Sequence, residues 1–151
     1  MPLMSSIVLK VLSYSEAATD IKAIRQVVFQ VEQGVDPTLD FDGLDETSQH
    51  IVAYLDQKPI GTARIRYLTD QLAKIERVAV LSAYRGQGIG KQIMATAIGF
   101  LDQQNMPESK VHAQSHAAAF YQKLGFQQQG EAFYEADILH IEMRRSHPAL
   151  Q

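Results

Sequence analysis

The chain has no cysteine in its 151 residues, which excludes disulfides, thiolate-held metals and a cysteine nucleophile together. It has no apolar run of membrane-spanning length, and Met1–Ser6 does not form a signal peptide, so the cytoplasm is the expected location. Positive charge is scarce: 14 Lys and Arg face 17 Asp and Glu, for a net charge of −3 and no basic stripe. Nucleic acid is therefore not an expected partner. Repeats, low-complexity tracts and linkers are missing too. Hydrophobic residues at 46% and charged residues at 21% are ordinary proportions for a soluble globular protein. The simplest organisation is one domain over residues 1–151, large enough to bury a proper core.

What the chain does have is concentrated in Arg85-Gly86-Gln87-Gly88-Ile89-Gly90, between the apolar run Ile75–Leu81 and the segment Lys91–Leu101. The alternating glycines let backbone pass close to a ligand where a Cβ would clash. Ile89, Ile93, Ala97 and Phe100 recur at helical spacing, so an amphipathic helix follows the turn. A strand, a glycine-rich turn and a helix N-terminus make an anion site, because the first helical amides lack partners and the dipole is positive there. Arg85 and Lys91 flank the turn and add mobile positive charge. A phosphate or pyrophosphate is the natural guest. The P-loop spacing is absent. A dinucleotide fingerprint would need G-x-G-x-x-G with an acidic residue about 20 positions on, whereas these glycines run G-x-G-x-G.

The remaining elements alternate along the chain. Ile7–Leu12 reads as a first strand, with Ser15 able to cap the helix after it. Ala18, Ile21, Ile24, Val28 and Val31 supply that helix's buried stripe, which ends near Gly34. Asp36–Glu46 is polar and turn-rich, a loop over the substrate side. His50–Leu55, the turn Asp56–Pro59 and Ile60–Tyr67 form a hairpin, followed by a strand at Lys74–Val80. Lys110–Gln114 is a short strand and Ser115–Leu124 a helix with Gly125 as its stop. Phe126–Gly130 and Ile138–Arg144 close the sheet as a pair. This grouping predicts an α/β fold with a mixed, mostly antiparallel sheet of six to seven strands and helices on both faces, rather than a doubly wound parallel sheet.

Arg85, Gly88 and Gly90 stand at the spacing of the signature of the GNAT acyltransferases, which bind acetyl-CoA: Arg or Gln, two residues, Gly, one residue, Gly or Ala. A second match, Ala117-Ala118-Ala119-Phe120-Tyr121-Gln122-Lys123-Leu124-Gly125-Phe126, resembles the family's A-x-x-F-Y-x-K-x-G-F helix after the fifth strand. The two lie in the family's order, with 36 residues from Arg85 to Tyr121. The resemblance covers most of the chain, including Gly61-Thr62-Ala63-Arg64, Glu76-Arg77-Val78-Ala79-Val80 and the terminal strand pair. Arg25, Val28, Phe29, Glu32 and Gln33, with His112-Ala113-Gln114 and His140-Ile141-Glu142-Met143, look like small stand-alone bacterial members.

The resemblance implies a sheet whose fourth and fifth strands splay, with the pantetheine arm of acetyl-CoA entering the gap as a substitute strand. The cofactor surface it implies comprises Val78, Ala79 and Val80, then Arg85, Gly86, Gln87, Gly88, Ile89, Gly90 and Lys91 at the turn, then Gln114, Ala117, Phe120 and Tyr121. Backbone groups of Val78 and Val80 would pair with the arm's amides, and amides of the turn would hold the pyrophosphate. Gln114 departs from the family's usual asparagine but offers the same amide one methylene further out. Several relatives carry a catalytic glutamate where this chain has Ser109, so catalysis of that type is not carried over.

Such chemistry takes a neutral amine, a thioester and a proton for the departing thiolate. Tyr121 is the candidate acid, since a phenol of pKa about 10 is protonated at neutral pH. Candidate bases are Glu76, which strand alternation would place on the side of Val78 and Val80, Glu32 on the first helix, and His140 near the acceptor pocket. Arg25, Phe29, Glu32 and His112 are the candidate substrate contacts. The expected activity is transfer of an acetyl group to a primary amine by direct attack, the acceptor a small molecule. A protein N-terminus or lysine as acceptor, a CoA-binding sensor without catalysis, and a nucleotide-binding fold are the alternatives. The family's C-terminal strands often pair between subunits, which adds a homodimer to the expectations.

Overall fold

A computed structural model of the chain describes residues 6–150. Strands β1 (Ile7–Ser13), β2 (Gln49–Leu55), β3 (Lys58–Tyr67), β4 (Leu72–Val80), β5 (Glu108–Gln114), β6 (Gln127–Glu135) and β7 (Ile138–Ser146) form a seven-stranded sheet in the order β1-β2-β3-β4-β5-β7-β6. Helices are α1 (Tyr14–Arg25), α2 (Pro37–Asp40), α3 (Ile89–Gln103) and α4 (Ala118–Lys123), with short 3₁₀ turns at Ser82–Tyr84, Ser115–Ala117 and Pro148–Leu150. All neighbouring strands are antiparallel except β4 and β5.

The alternation of strand side chains sends two apolar sets to opposite faces. Ile51, Ala53, Ala63, Ile65 and Ile75 meet Ile93, Met94, Ala97 and Leu101 of α3 in one core. Val52 and Ala79, from the other face, meet Ile21, Ile24 and Val28 of the first helix in the second. At Gly61 the strand β3 lies hard against α3 and β4: a Cβ there would lie 2.7 Å from Ile93 Cδ1 and 3.2 Å from the Ala79 carbonyl oxygen. The β2–β3 turn uses Asp56 and Gln57 at φ 50° and 70°, the pairing of left-handed residues that suits a tight hairpin.

Several details differ from the sequence expectations. Ser13, not Ser15, precedes the first helix; Glu16 Oε1 accepts from its N–H at 2.9 Å and its hydroxyl at 2.8 Å. The helix continues beyond Arg25 as a π-type segment, Gln26–Glu32. An i→i+5 turn holds more residues than an α turn, so the buried stripe leaves register and Val31 is 75% exposed. The polar stretch expected as a loop contains α2, and its Asp40 and Asp45 are buried. β6 runs on to Glu135, with Gly130 at φ 75° and a register change between Gln129 and Phe133.

Two irregularities shape the middle of the sheet. β4 and β5 pair only at Leu72–Glu108, Ala73–Ser109 and Lys74–Lys110, so the strands splay beyond Lys74. Arg77 sits at φ 55°, and the β3–β4 register shifts there: Thr62 faces Ala79 while Arg64 faces Glu76. This bulge inserts one extra residue and reverses the alternation. Glu76 therefore shares a face with Ala79, on the α1 side, and not with Val78 and Val80, which pack on the α3 core.

Candidate active site

The turn after β4 is built for an open backbone. Gly86 and Gly88 have φ of 77° and 79°, and Gly88 is the N-cap of α3. Cβ atoms added at Gly86, Gly88 or Gly90 would meet nothing within 4 Å, so the space over the turn is clear. The first helical bond of α3 is Gln92 N–H to the Gly88 carbonyl at 3.1 Å. Among the described residues, the amides of Gly86 to Lys91 have no backbone acceptor. Consecutive unpaired donors at the positive end of a long helix suit an anionic oxygen cluster.

Arg85 is less free than its position in the sequence suggests. Its Nε donates to the Val80 carbonyl at 2.9 Å and its Nη2 reaches Glu32 Oε2 at 2.7 Å. The pair ties the end of the first helix to the turn. It also directs Glu32, a candidate base and substrate contact, toward the turn and leaves it outside the cavity wall described next.

A cavity of about 740 Å³ opens where β4 and β5 part. Phe29, Val78, Val111, Gln114, Ala117 and Tyr121 line it, together with His112 and His140. Tyr121 packs edge-on against Phe120 at 5.0 Å and Phe126 at 6.0 Å, while its hydroxyl makes no hydrogen bond among the described residues. Burial pushes its pKa up, so the phenol keeps its proton at neutral pH. Phe120 supports that ring and is not part of the cavity wall. His112, Gln114, His140 and Glu142 lie on one face, since His112 pairs with Glu142 and Gln114 with His140.

Two candidates from the sequence have other work. Arg25 is 1% exposed; its Nε and Nη2 bond Asp40 Oδ1 at 3.0 and 2.9 Å, and its Nη1 bonds Asp45 at 2.6 Å. A guanidinium so buried and tied to Asp40 and Asp45 does not line the cavity, so the expected substrate contact is corrected to a structural one. Glu76 lines the cavity but is held by Arg64, Arg66 and Lys74. Burial pushes its pKa up, yet the Arg66, Arg64 and Lys74 charges outweigh this and hold it at about 2. A carboxylate with so little affinity for a proton is a poor base for an amine.

A model of the "Acetyltransferase (GNAT) domain" matches residues 21–147. The chain belongs to the GNAT acetyltransferase family. Protein YyaT of Bacillus subtilis strain 168, itself uncharacterized, is 39% identical over 125 residues, covering 81% of this chain and 84% of its own. The crystal structure of an acyl-CoA N-acyltransferase from Pseudomonas aeruginosa superposes with a TM-score of 0.85 at 30% identity, over 93% of this chain and 100% of that one. The crystal structure of Escherichia coli ElaA does so with a TM-score of 0.84 at 30% identity, over 93% and 100% of the two chains.

Within this GNAT fold, sequence reasoning missed Phe133 and Glu135, which join His112 and His140. The strand was expected to stop at Gly130, and nothing local announces that it resumes in a new register. The hairpin end, Ala136 and Asp137 at φ 49° and 62°, lacks the glycine that usually marks such a turn. Arg64, likewise, read as one residue of a strand motif; its three carboxylate partners, Asp42, Asp45 and Glu76, come from two other segments.

Proposed function

We propose that this GNAT protein is an acetyl-CoA-dependent N-acetyltransferase that acetylates a primary amine on a small molecule. The carrying observations are a row of unpaired amides at residues 86–91, a splayed β4–β5 strand pair with a cavity in the gap, and a Tyr121 hydroxyl without a hydrogen-bond partner among the described residues at the cavity wall. The residues present fit the cofactor. Left-handed glycines leave a cradle that any Cβ would begin to fill, and strand edges left unpaired in a cleft call for a ligand with amides of its own.

When bound, acetyl-CoA supplies the thioester that an amine can attack directly. The amides of residues 86–91 would hold pyrophosphate, and backbone of Val78 and Val80 would hold the pantetheine arm, with Arg85 sharing the Val80 carbonyl. Gln114 and Ala117 would border the arm's inner end. Tyr121 holds a proton that it can give to a departing sulfur and later recover from solvent. No cysteine exists to carry the acyl group. Of the candidate bases, Glu32 pairs with Arg85 and Glu76 with three cations, which leaves His140 facing the cavity.

Calorimetric titration with acetyl-CoA, with ATP and NAD as controls, tests the cofactor; thiol release with amines, polyamines and peptides then tests the reaction. Selective binding in the micromolar range is expected. Absence of acetyl-CoA binding would overturn the reading and leave the glycine turn as a plain helix start.

A further inference from the structure

We propose that Glu135 is a positioning residue for the acceptor-side base, its carboxylate holding the His140 imidazole ready to take a proton from the incoming amine while also steadying His112. This rests on the transferase reading above. His140 is 8% exposed, and its Nδ1 lies 2.7 Å from the Ile138 carbonyl oxygen. A carbonyl only accepts, so Nδ1 carries the hydrogen and the neutral ring presents a bare Nε2. No hydrogen bond reaches that nitrogen among the described residues; Glu135 Oε2 stands 3.7 Å away, within ion-pair distance of a protonated ring but beyond hydrogen-bond distance of the lone pair.

The other oxygen of the same carboxylate, Oε1, is 3.3 Å from His112 Nδ1. The far side of the His112 ring faces Glu142 Oε1 at 3.4 Å. Phe133 fills the space between, edge-on to His112 at 5.0 Å and stacked near His140 at 6.1 Å. Strand register produces this arrangement. Phe133 faces His140 and Glu135 faces Ile138, whereas the register at Gln129–Glu142, had it continued, would have set Glu131 opposite His140. The irregularity at Gly130 thus delivers an aromatic ring and a carboxylate to the two histidines.

Other charges around His140 are accounted for. On its own strand Glu142 is bonded by Lys110 and Arg144. Across the cavity, Glu76 is paired with Lys74, and Arg77 with Asp40 and Asp42. Asp36 accepts from Thr38, and Asp137 sits on the hairpin turn at the cavity edge. Glu135 is therefore the carboxylate in direct reach of Nε2. In the step itself an amine N–H bond breaks, the electron pair stays on nitrogen, and the proton goes to Nε2. The imidazolium then yields its proton to solvent.

The test pairs a binding-independent readout with kinetics. Nitrogen NMR of labelled wild-type protein should show His140 as the Nδ1–H tautomer when neutral, and Glu135→Gln should move both the His140 and His112 signals. The opposite tautomer, or unmoved signals, would overturn the assignment without any assay of activity. With acetyl-CoA and either benzylamine or 1,4-diaminobutane as acceptor probes, Glu135→Gln should lower kcat roughly tenfold with an unchanged KM for acetyl-CoA. The acid limb of its kcat/KM profile should move to lower pH, because the imidazolium has lost its counter-charge, and Glu135→Asp should restore part of both. A fall in Tm with the rate and acid limb unchanged would mean a structural role and would also overturn the proposal. No thiol release by the wild type would count against the transferase reading instead, with the NMR arm still deciding Glu135.

Discussion

Tyr121 combines a partly buried ring with a hydroxyl that no described protein group engages, so the hydroxyl is free to meet a ligand or water in the cavity. Its ring is anchored by Phe120 and Phe126, so Tyr121→Phe should leave the packing intact. The variant is expected to lose roughly 100-fold in turnover while acetyl-CoA affinity stays within about twofold. Because burial raises the phenol's pKa, the proton is held to higher pH than in a free phenol, and no loss of rate from its ionisation is expected below pH about 10. Steady-state kinetics across pH with parallel calorimetry checks both; full turnover in the variant would remove Tyr121 from the chemistry. The position of Tyr121 at the cavity wall was legible because a recurring motif carries it. Glu76 was misread for a local reason: the alternation argument assumes an unbroken strand, and Arg77 at φ 55° breaks it one residue later.

At the level of elements, the glycine turn and α3 were legible because both sides of the turn are strongly periodic and the glycines stand where backbone must be left-handed or bare. Gly88→Val is the element's test. The added side chain meets nothing in the protein itself, but it is β-branched at φ 79° and it points into the clear space above the amides. Calorimetry should show acetyl-CoA binding weakened at least about tenfold, since each lost amide contact to a charged oxygen is worth roughly 1.5–3 kcal/mol. Gly88→Asn separates strain from occlusion: asparagine tolerates the left-handed backbone, so its fold should persist while binding still falls. Native affinity in the Asn variant would show that the cradle is not used. Other elements were less legible for stated physical causes. Periodicity cannot announce a π-type turn in advance, so Val31 was assigned to a core it does not reach, and the resumption of β6 after Gly130 depends on pairing with β7 that only the folded sheet supplies.

Across the whole molecule, a buried ion cluster fastens the polar segment 36–46 to the sheet beneath the cavity. Arg25 and Arg64 are both 1% exposed and share Asp45, at 2.6 and 3.0 Å, and Arg64 also binds Asp42 and Glu76. Buried charges of this kind cost desolvation energy on forming but are severely missed when one partner is removed. Glu76→Gln leaves Arg64, Arg66 and Lys74 short of a counter-charge and should destabilise the fold at pH 7 by about 3 kcal/mol. The dependence on pH has a definite sign. The carboxyl of Glu76 lies at about 2 in the folded state against 4.5 as its ordinary value, so its stabilisation is complete above pH 4.5 and is lost as pH falls through 2. Asp42, lowered chiefly by its bonds to Arg64, acts in the same direction. Thermal denaturation of both proteins from pH 7 downward should therefore show a wide gap in Tm at neutral pH that closes between about pH 4.5 and 2. The wild type descends toward a variant that has no carboxyl there to protonate. A gap that stays constant over that range would mean that the Glu76→Gln substitution disturbs packing rather than charge, and the cluster would then hold the cavity floor by shape alone.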